Sequence, residues 1–319
     1  MTTPRAPLPP SPLLFSTRPY EPLTRALAQQ IGGEVGEVEQ REFSDGERYL
    51  RIQGSVAARP VVVVGSTASD RETLDLYDLA SGLVQQGAHS LTLLIPFFGY
   101  GTMERVSLPG EVIKAKARAR LFSSIPVPVA GYRVALLDLH AEGIAYYFEG
   151  NLTPAHLSAA PLLLQKIAGA LGRERLVLAA ADMGRAKVVE RLTNHTLQVP
   201  AAFAYKRRLG EGNVETTVVN APVRGQDVAI YDDMIRTGSS LIGAARAYRQ
   251  AGAARIWAVA THGVLPGNAL HALRESGLFE RVVCTDSHPN ARALAADFPD
   301  FLEVESVAPL FADYLRAAG

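Results

Sequence analysis

Short, unbroken apolar runs rich in β-branched residues recur along the chain at 61–64, 91–95, 134–137, 176–180, 228–231, 256–260 and 282–284. A strand with one wet face alternates apolar and polar residues, whereas a run without alternation belongs to a strand covered on both faces. Between these runs lie helical patterns. Leu76, Leu79, Ala80 and Leu83 follow the i, i+3, i+4, i+7 rule, as do Leu241, Ala244, Ala245 and Tyr248. Gly87 and Gly252 stand just after them, where a helix C-cap belongs. Buried strands alternating with helices predict an α/β protein of doubly wound type, with parallel sheets, right-handed crossovers and helices on both faces.

At 319 residues and 48% hydrophobic, the chain exceeds one ordinary core and predicts two domains of similar size. Two stretches look alike: Gly131, Val134, Ala135 and Asp138 match Gly225, Val228, Ala229 and Asp232 in spacing. Each is a glycine turn, a buried strand and an acid at its carboxyl end, which suggests duplication. A polar stretch at 151–156 containing Pro154 sets the expected boundary, with domains at 13–155 and 156–319. Residues 1–12, rich in Pro and Thr without the apolar core of a signal peptide, are expected to form a disordered tail. No apolar run approaches the roughly 20 residues of a membrane span, so a cytoplasmic protein without a membrane partner is expected. Lys plus Arg equals Asp plus Glu at 32 each, which leaves no net field to hold nucleic acid. The lone Cys284 excludes an internal disulfide and reads as a buried strand thiol.

In open α/β sheets ligands bind beyond the carboxyl ends of the strands. The strongest signal there is the strand at 228–231 followed by Asp232 and Asp233, then Arg236, Thr237, Gly238, Ser239 and Ser240 entering a helix. Amides and hydroxyls of Thr237 to Ser240 suit a phosphate at a helix's positive end, and Gly238 permits the tight turn. Asp232 and Asp233 can accept vicinal sugar hydroxyls or help hold a metal ion. The structural alternative is an Asp cap with Ser/Thr turn chemistry.

This loop resembles the phosphoribosyl-diphosphate (PRPP) binding signature, and the chain from about Leu13 onward resembles the ribose-phosphate diphosphokinase, or PRPP synthetase, family. The motifs that carry the resemblance run in order: Phe43-Ser44-Asp45-Gly46-Glu47, Ile95-Pro96-Phe97-Phe98-Gly99-Tyr100, Asp138-Leu139-His140-Ala141, Asp182-Met183-Gly184, Lys206-Arg207-Arg208, the Asp232 loop, and Ala260-Thr261-His262-Gly263. The resemblance implies two similar phosphoribosyltransferase-like domains, the first on the ATP side and the second on the ribose 5-phosphate side. It implies transfer of the diphosphoryl group of ATP to the 1-hydroxyl of ribose 5-phosphate, giving PRPP and AMP for nucleotide biosynthesis, with Mg²⁺ as cofactor.

Residue by residue, it implies ribose 5-phosphate binding by Asp232, Asp233, Thr237, Gly238, Ser239 and Ser240. Diphosphate binding falls to Asp182 and Gly184, and ATP binding to Phe43, Asp45, Glu47, Arg105 and His140. Metal contacts fall to His140 and Asp182, and catalysis to Lys206 and Arg208 on a flap that includes Gly210 and Gly212. Phe43, Asp45 and Glu47 would reach the adenine held by a neighbouring subunit, which implies a homo-oligomer with its active site at the interface. For His140, the Lys206–Arg208 flap and the Phe43–Glu47 stretch the plain alternatives are a structural histidine, a solvated basic turn and an ordinary Asp-Gly turn.

The resemblance breaks in the ATP loop, where Thr102, Met103 and Val106 stand in place of an Arg, a Gln and a basic residue, and only Arg105 keeps its charge. Arg185 replaces the second glycine of the diphosphate turn, adding charge or blocking it, and Arg236 replaces a frequent third Asp. Besides the active enzyme, these departures leave a weakened regulatory paralogue and a PRPP-using phosphoribosyltransferase as readings.

Overall fold

The computed structural model describes residues 11–209 and 214–318, with the side chains of 205–209 and 214–218 outside that description. The chain divides into two compact units: residues 1–157 with 307–319, and residues 158–306. The boundary therefore falls beside the polar stretch at 151–156, but the last helix, Ala308–Ala318, belongs to the first unit and not to the second. In that unit Arg316 donates to the carbonyl of Gln30 at 2.8 Å. Ser11, expected in the tail, is also anchored: Arg59 donates to its carbonyl at 2.7 Å, and its own hydroxyl donates to Glu34 at 2.7 Å.

The first unit holds strands β1 (Leu13–Ser16), β2 (Glu34–Val35), β3 (Glu37–Glu42), β4 (Arg48–Gln53), β5 (Pro60–Val64), β6 (Ser90–Ile95), β7 (Tyr132–Leu137) and β8 (Leu152–Leu157). Its helices include α1 (Glu21–Ile31), α2 (Asp70–Gln85) and α3 (Lys114–Ser123). Six strands form a parallel sheet in the order β2-β1-β5-β6-β7-β8, while β3 and β4 make a separate antiparallel hairpin. Helix α2 shows how the sequence dictates the layer. The Ser69 hydroxyl accepts from the Glu72 amide at its start. Leu76, Leu79, Ala80 and Leu83 are all fully buried, and Gly87 at φ +88° closes the helix as the Ala88 amide bonds back to Leu83.

The second unit contains α4 (Ala160–Leu171), β9 (Leu176–Ala180), α5 (Ala186–Leu192), β10 (Ala201–Leu209), β11 (Val214–Val219), β12 (Asp227–Ile235), α6 (Ser239–Gln250), β13 (Arg255–Gly263), α7 (Ala269–Glu275), β14 (Arg281–Thr285), α8 (Pro289–Ala295) and β15 (Leu302–Glu305). The sheet order is β11-β10-β9-β12-β13-β14-β15, parallel except where β11 folds back on β10. Asp227, fully buried, anchors the start of β12 by accepting two hydrogen bonds from Arg255, at 2.9 and 2.7 Å. The Tyr248 hydroxyl donates to the carbonyls of Ala180 and Ala202, at 3.2 and 3.3 Å, which ties α6 to β9 and β10.

The two sheets share one topology: β2-β1-β5-β6-β7-β8 runs parallel to β10-β9-β12-β13-β14-β15 in strand order. Duplication is thus visible, but the stretches that suggested it are not equivalent. The topological counterpart of β12 is β5, and that of β7 is β14. A glycine turn, an apolar run and a terminal acid describe any strand of a two-sided parallel sheet, so the likeness arose from shared surroundings and not from shared position.

Candidate functional site

The carboxylate pair sits inside β12, not at its end. β12 stays paired with β13 as far as Ile235 opposite Gly263, but its pairing with β9 stops at Tyr231 opposite Ala180. The longer β13 carries the strand two residues past the acids. Asp232 and Asp233 consequently lie where β9 has ended, beside the turn that follows it.

That turn supplies a cation. Arg185 reaches across with Nε 3.2 Å from Asp232 Oδ1 and Nη2 2.5 Å from Asp233 Oδ2. The three side chains are 16, 17 and 8% exposed. The amide of Asp233 also donates to Asp232 Oδ1 at 2.8 Å. Burial, followed by the hydrogen bond and charge of Asp233, pushes the Asp232 carboxyl up to about 7, against the pull of Arg185. The carboxylates and Arg185 form one tightly coupled cluster.

Beyond Ile235, Gly238 adopts φ +76°, and α6 begins at Ser239 with no side-chain cap. Thr237 and Ser239 share a hydroxyl–hydroxyl bond of 3.1 Å, and both are exposed with Ser240. The first-turn amides of a helix lack intrahelical partners; here the N-cap is a glycine, and the Ser239 amide donates to the Thr237 hydroxyl at 3.5 Å. The counterpart in the first unit, Ser66 to Ser69 before α2, is closed: Ser66 and Thr67 are fully buried, the Ser66 hydroxyl donates to Glu72, and Ser69 caps the helix. Thr67 packs so tightly that a Cβ on Gly99 would lie 2.0 Å from its carbonyl oxygen. Only the loop of the second unit keeps the open arrangement.

Asp182 is exposed and caps the turn Met183–Arg185, accepting from the Arg185 amide at 3.2 Å. At Gly184 a Cβ would stand 3.1 Å from Asp182 Oδ1. This Asp cap holds the base of Arg185 in place, whereas the Asp cap weighed for the Asp232 loop is not formed, since the N-cap of α6 is Gly238. Lys206 and Arg208 lie on β10 itself, opposite Thr217 and Glu215 of β11, beyond the last β9 pairing at Phe203. They are part of a two-stranded extension and do not precede it. Their side chains, with Gly210 and Gly212, lie outside the described residues.

In the first unit, Phe43, Asp45 and Glu47 occupy the tip between β3 and β4. Asp45 accepts from the Glu47 amide at 3.0 Å, Gly46 takes φ +90°, and Phe43 is 49% exposed. Arg105 is exposed and pairs at 3.4 Å with its neighbour Glu104. Met103 and Val106 are exposed too. His140 is exposed beyond Asp138, a non-glycine residue at φ +35° following β7. A Cβ on Gly101 would lie 3.3 Å from His140 Cβ, so the Tyr100 loop runs directly against this histidine.

Two features escaped the sequence reading. Lys114 and Arg118 of α3 each lie 4.9 Å from the centre of the Tyr100 ring, whose hydroxyl donates to Asp70 at 2.6 Å. Cationic charge thus reaches this loop from a helix, while the loop itself carries Thr102 and Met103. The other is the grip of Arg185 on both carboxylates. Neither has a linear signal, because partners far apart in sequence make them. Among the described residues no group of three or more His, Cys, Asp or Glu gathers to hold a metal, and no helix is long and apolar enough to cross a membrane.

Comparison with known proteins finds similarity over most of the chain. Residues 13–125 match the family described as the N-terminal domain of ribose phosphate pyrophosphokinase, and 188–296 match the phosphoribosyl synthetase-associated domain. The ribose-phosphate pyrophosphokinase of Streptomyces coelicolor is 31% identical over 308 residues, covering 95% of this chain and 92% of that protein. That of Caldanaerobacter subterraneus subsp. tengcongensis is 32% identical over 306 residues, covering 94% and 92%. The crystal structure of phosphoribosylpyrophosphate synthetase from Mycobacterium smegmatis superimposes with a TM-score of 0.84 at 28% identity, covering 97% of this chain and 99% of that one.

Proposed function

Because the chain belongs to the ribose-phosphate pyrophosphokinase family, we propose that it transfers the diphosphoryl group of ATP to the 1-hydroxyl of ribose 5-phosphate, forming PRPP and releasing AMP. The observation that carries the reading is the open loop of the second unit. A carboxylate pair lies in β12, and six residues after Asp233 a helix starts at Ser239 behind a glycine N-cap, with Thr237, Ser239 and Ser240 exposed. Carboxylates accept sugar hydroxyls and a helix N-terminus attracts phosphate, so the loop offers the two chemistries that one phosphorylated pentose presents.

In this reading Asp232 and Asp233 take the ribose hydroxyls, while Thr237, Gly238, Ser239 and Ser240 take the 5-phosphate. Asp182 and Gly184 face the diphosphate. Arg105 and His140 meet the nucleotide phosphates, and Phe43, Asp45 and Glu47 contact adenine held by a neighbouring copy, so the working enzyme is a homo-oligomer. Lys206 and Arg208 close on the transferring phosphoryl group, where cations lower the barrier by neutralising developing charge. Mg²⁺ would be held by Asp182 and His140 and would supply charge neutralisation at the nucleotide phosphates. It needs only one or two protein carboxylates beside substrate oxygens, and exposed Asp182 suits that role without a protein cage. We assign the protein to the cytoplasm, where both substrates are available.

The test is direct incubation of purified protein with Mg²⁺, ribose 5-phosphate and each nucleoside triphosphate in turn. AMP and PRPP should form only when ATP and the sugar phosphate are both present. Sugar-phosphate binding without turnover under any donor would overturn the proposal.

A further inference from the structure

We propose that Arg185 is the permanent counter-cation of the Asp232–Asp233 pair, filling the role a divalent ion would otherwise fill, so that the pair takes sugar hydroxyls without metal. The inference rests on the ribose 5-phosphate reading above and resolves what the two carboxylates themselves require.

Two adjacent carboxylates with little exposure repel each other strongly, because a weakly screened site magnifies like charge. Such a pair is compensated by a metal ion, a proton or a cationic side chain. Here the planar guanidinium contacts one oxygen of each acid, at 3.2 and 2.5 Å. Its fork shape spans two acceptors in a way that a point charge cannot.

The cation is also held from behind. The Arg185 amide donates to the Asp182 carboxylate at 3.2 Å and to the Asp182 carbonyl at 3.3 Å, and α5 starts at the next residue. The same turn therefore sets Asp182 toward solvent and the guanidinium toward β12. A carboxylate offers roughly four acceptor directions, more than one contact to a guanidinium takes up. Arg185 acts through the acids and is a positioning residue. It follows that the metal requirement of this protein belongs to the nucleotide and diphosphate, and that the sugar phosphate binds without them.

Calorimetry of ribose 5-phosphate binding tests this, once with EDTA and once with Mg²⁺, without nucleotide. Wild type should bind with the same affinity in both buffers. Arg185→Gln should lose about tenfold or more in EDTA, as expected for charge-assisted bonds, and regain affinity with Mg²⁺. Arg185→Lys, keeping the charge but not the fork, should fall between the two. A wild type that binds the sugar only with Mg²⁺ would refute the proposal, and this comparison stands whether or not a variant folds. Undiminished binding by folded Arg185→Gln in EDTA would refute it as well. No binding by wild type in either buffer would instead remove the ribose 5-phosphate reading itself.

Discussion

Replacing Gly238 by Ala should damage both the fold and the sugar-phosphate site, and the structure separates two causes. Gly238 sits at φ +76°, a left-handed conformation that costs a residue with a Cβ about 1–2 kcal/mol. The new Cβ would also stand 2.9 Å from Leu273 Cδ2 and 3.0 Å from Leu273 Cγ. Leu273 is fully buried in the core around α6 and α7, so it has nowhere to turn, and overpacking of this kind costs about 1–3 kcal/mol. Together these give a loss of about 2–5 kcal/mol. Gly225→Ala is the control, since Gly225 has φ +73° but nothing within 4 Å of its Cβ position, so only the conformational part applies. Urea unfolding of both variants should show Gly238→Ala the less stable by about 1–3 kcal/mol. Ribose 5-phosphate affinity should fall in Gly238→Ala alone, because relief of the clash moves the start of α6 away from Asp233. Equal destabilisation in the two variants would refute the Leu273 argument, and unchanged affinity would detach this turn from the phosphate.

Lys206→Ala should lower turnover roughly hundredfold while leaving the urea midpoint in place, because the β10–β11 ladder is made by backbone. Equal turnover in variant and wild type would remove Lys206 from the chemistry. Cys284 is fully buried and its thiol is pushed up to about 12 by desolvation, so a thiol reagent should modify it only in denaturant, and rapid labelling of native protein would contradict that burial. His288 is buried as the neutral form, its acidity shifted from 6.5 down to about 4 by desolvation and by neighbouring His262. The unfolded chain then binds the extra proton between pH 6.5 and 4, so stability should fall by about 3 kcal/mol on acidification through that window. Asp232, raised to about 7, works in the opposite direction over part of the same range. The measurement is therefore the difference between wild type and His288→Asn, which should show the shallower acid limb in unfolding titrations; identical limbs would exclude His288 as the cause.

Much of this protein was legible in one dimension. The unbroken apolar runs marked the seven strands that build most of the two parallel sheets. Leu76 to Leu83 and Leu241 to Tyr248 marked the buried faces of α2 and α6, since burial on both sides of a sheet and on one side of a helix imposes periods that composition records directly. The tight turn at Gly238 and the helix that follows it were readable too, because their signals lie in adjacent residues. What escaped was everything set by pairing between distant segments. β12 outlasts the acids because β13 continues beside it, and the true counterpart of β12 is β5, a matter of strand order that no local likeness reveals. Arg185 finds Asp232 and Asp233, 47 and 48 residues away, because β9 stops short and its turn opens toward β12. Local sequence determines which segments become strands, helices and turns, through periodicity and backbone chemistry; which charges meet across them is decided only when the sheet assembles, since a contact between remote residues has no periodic trace along the chain.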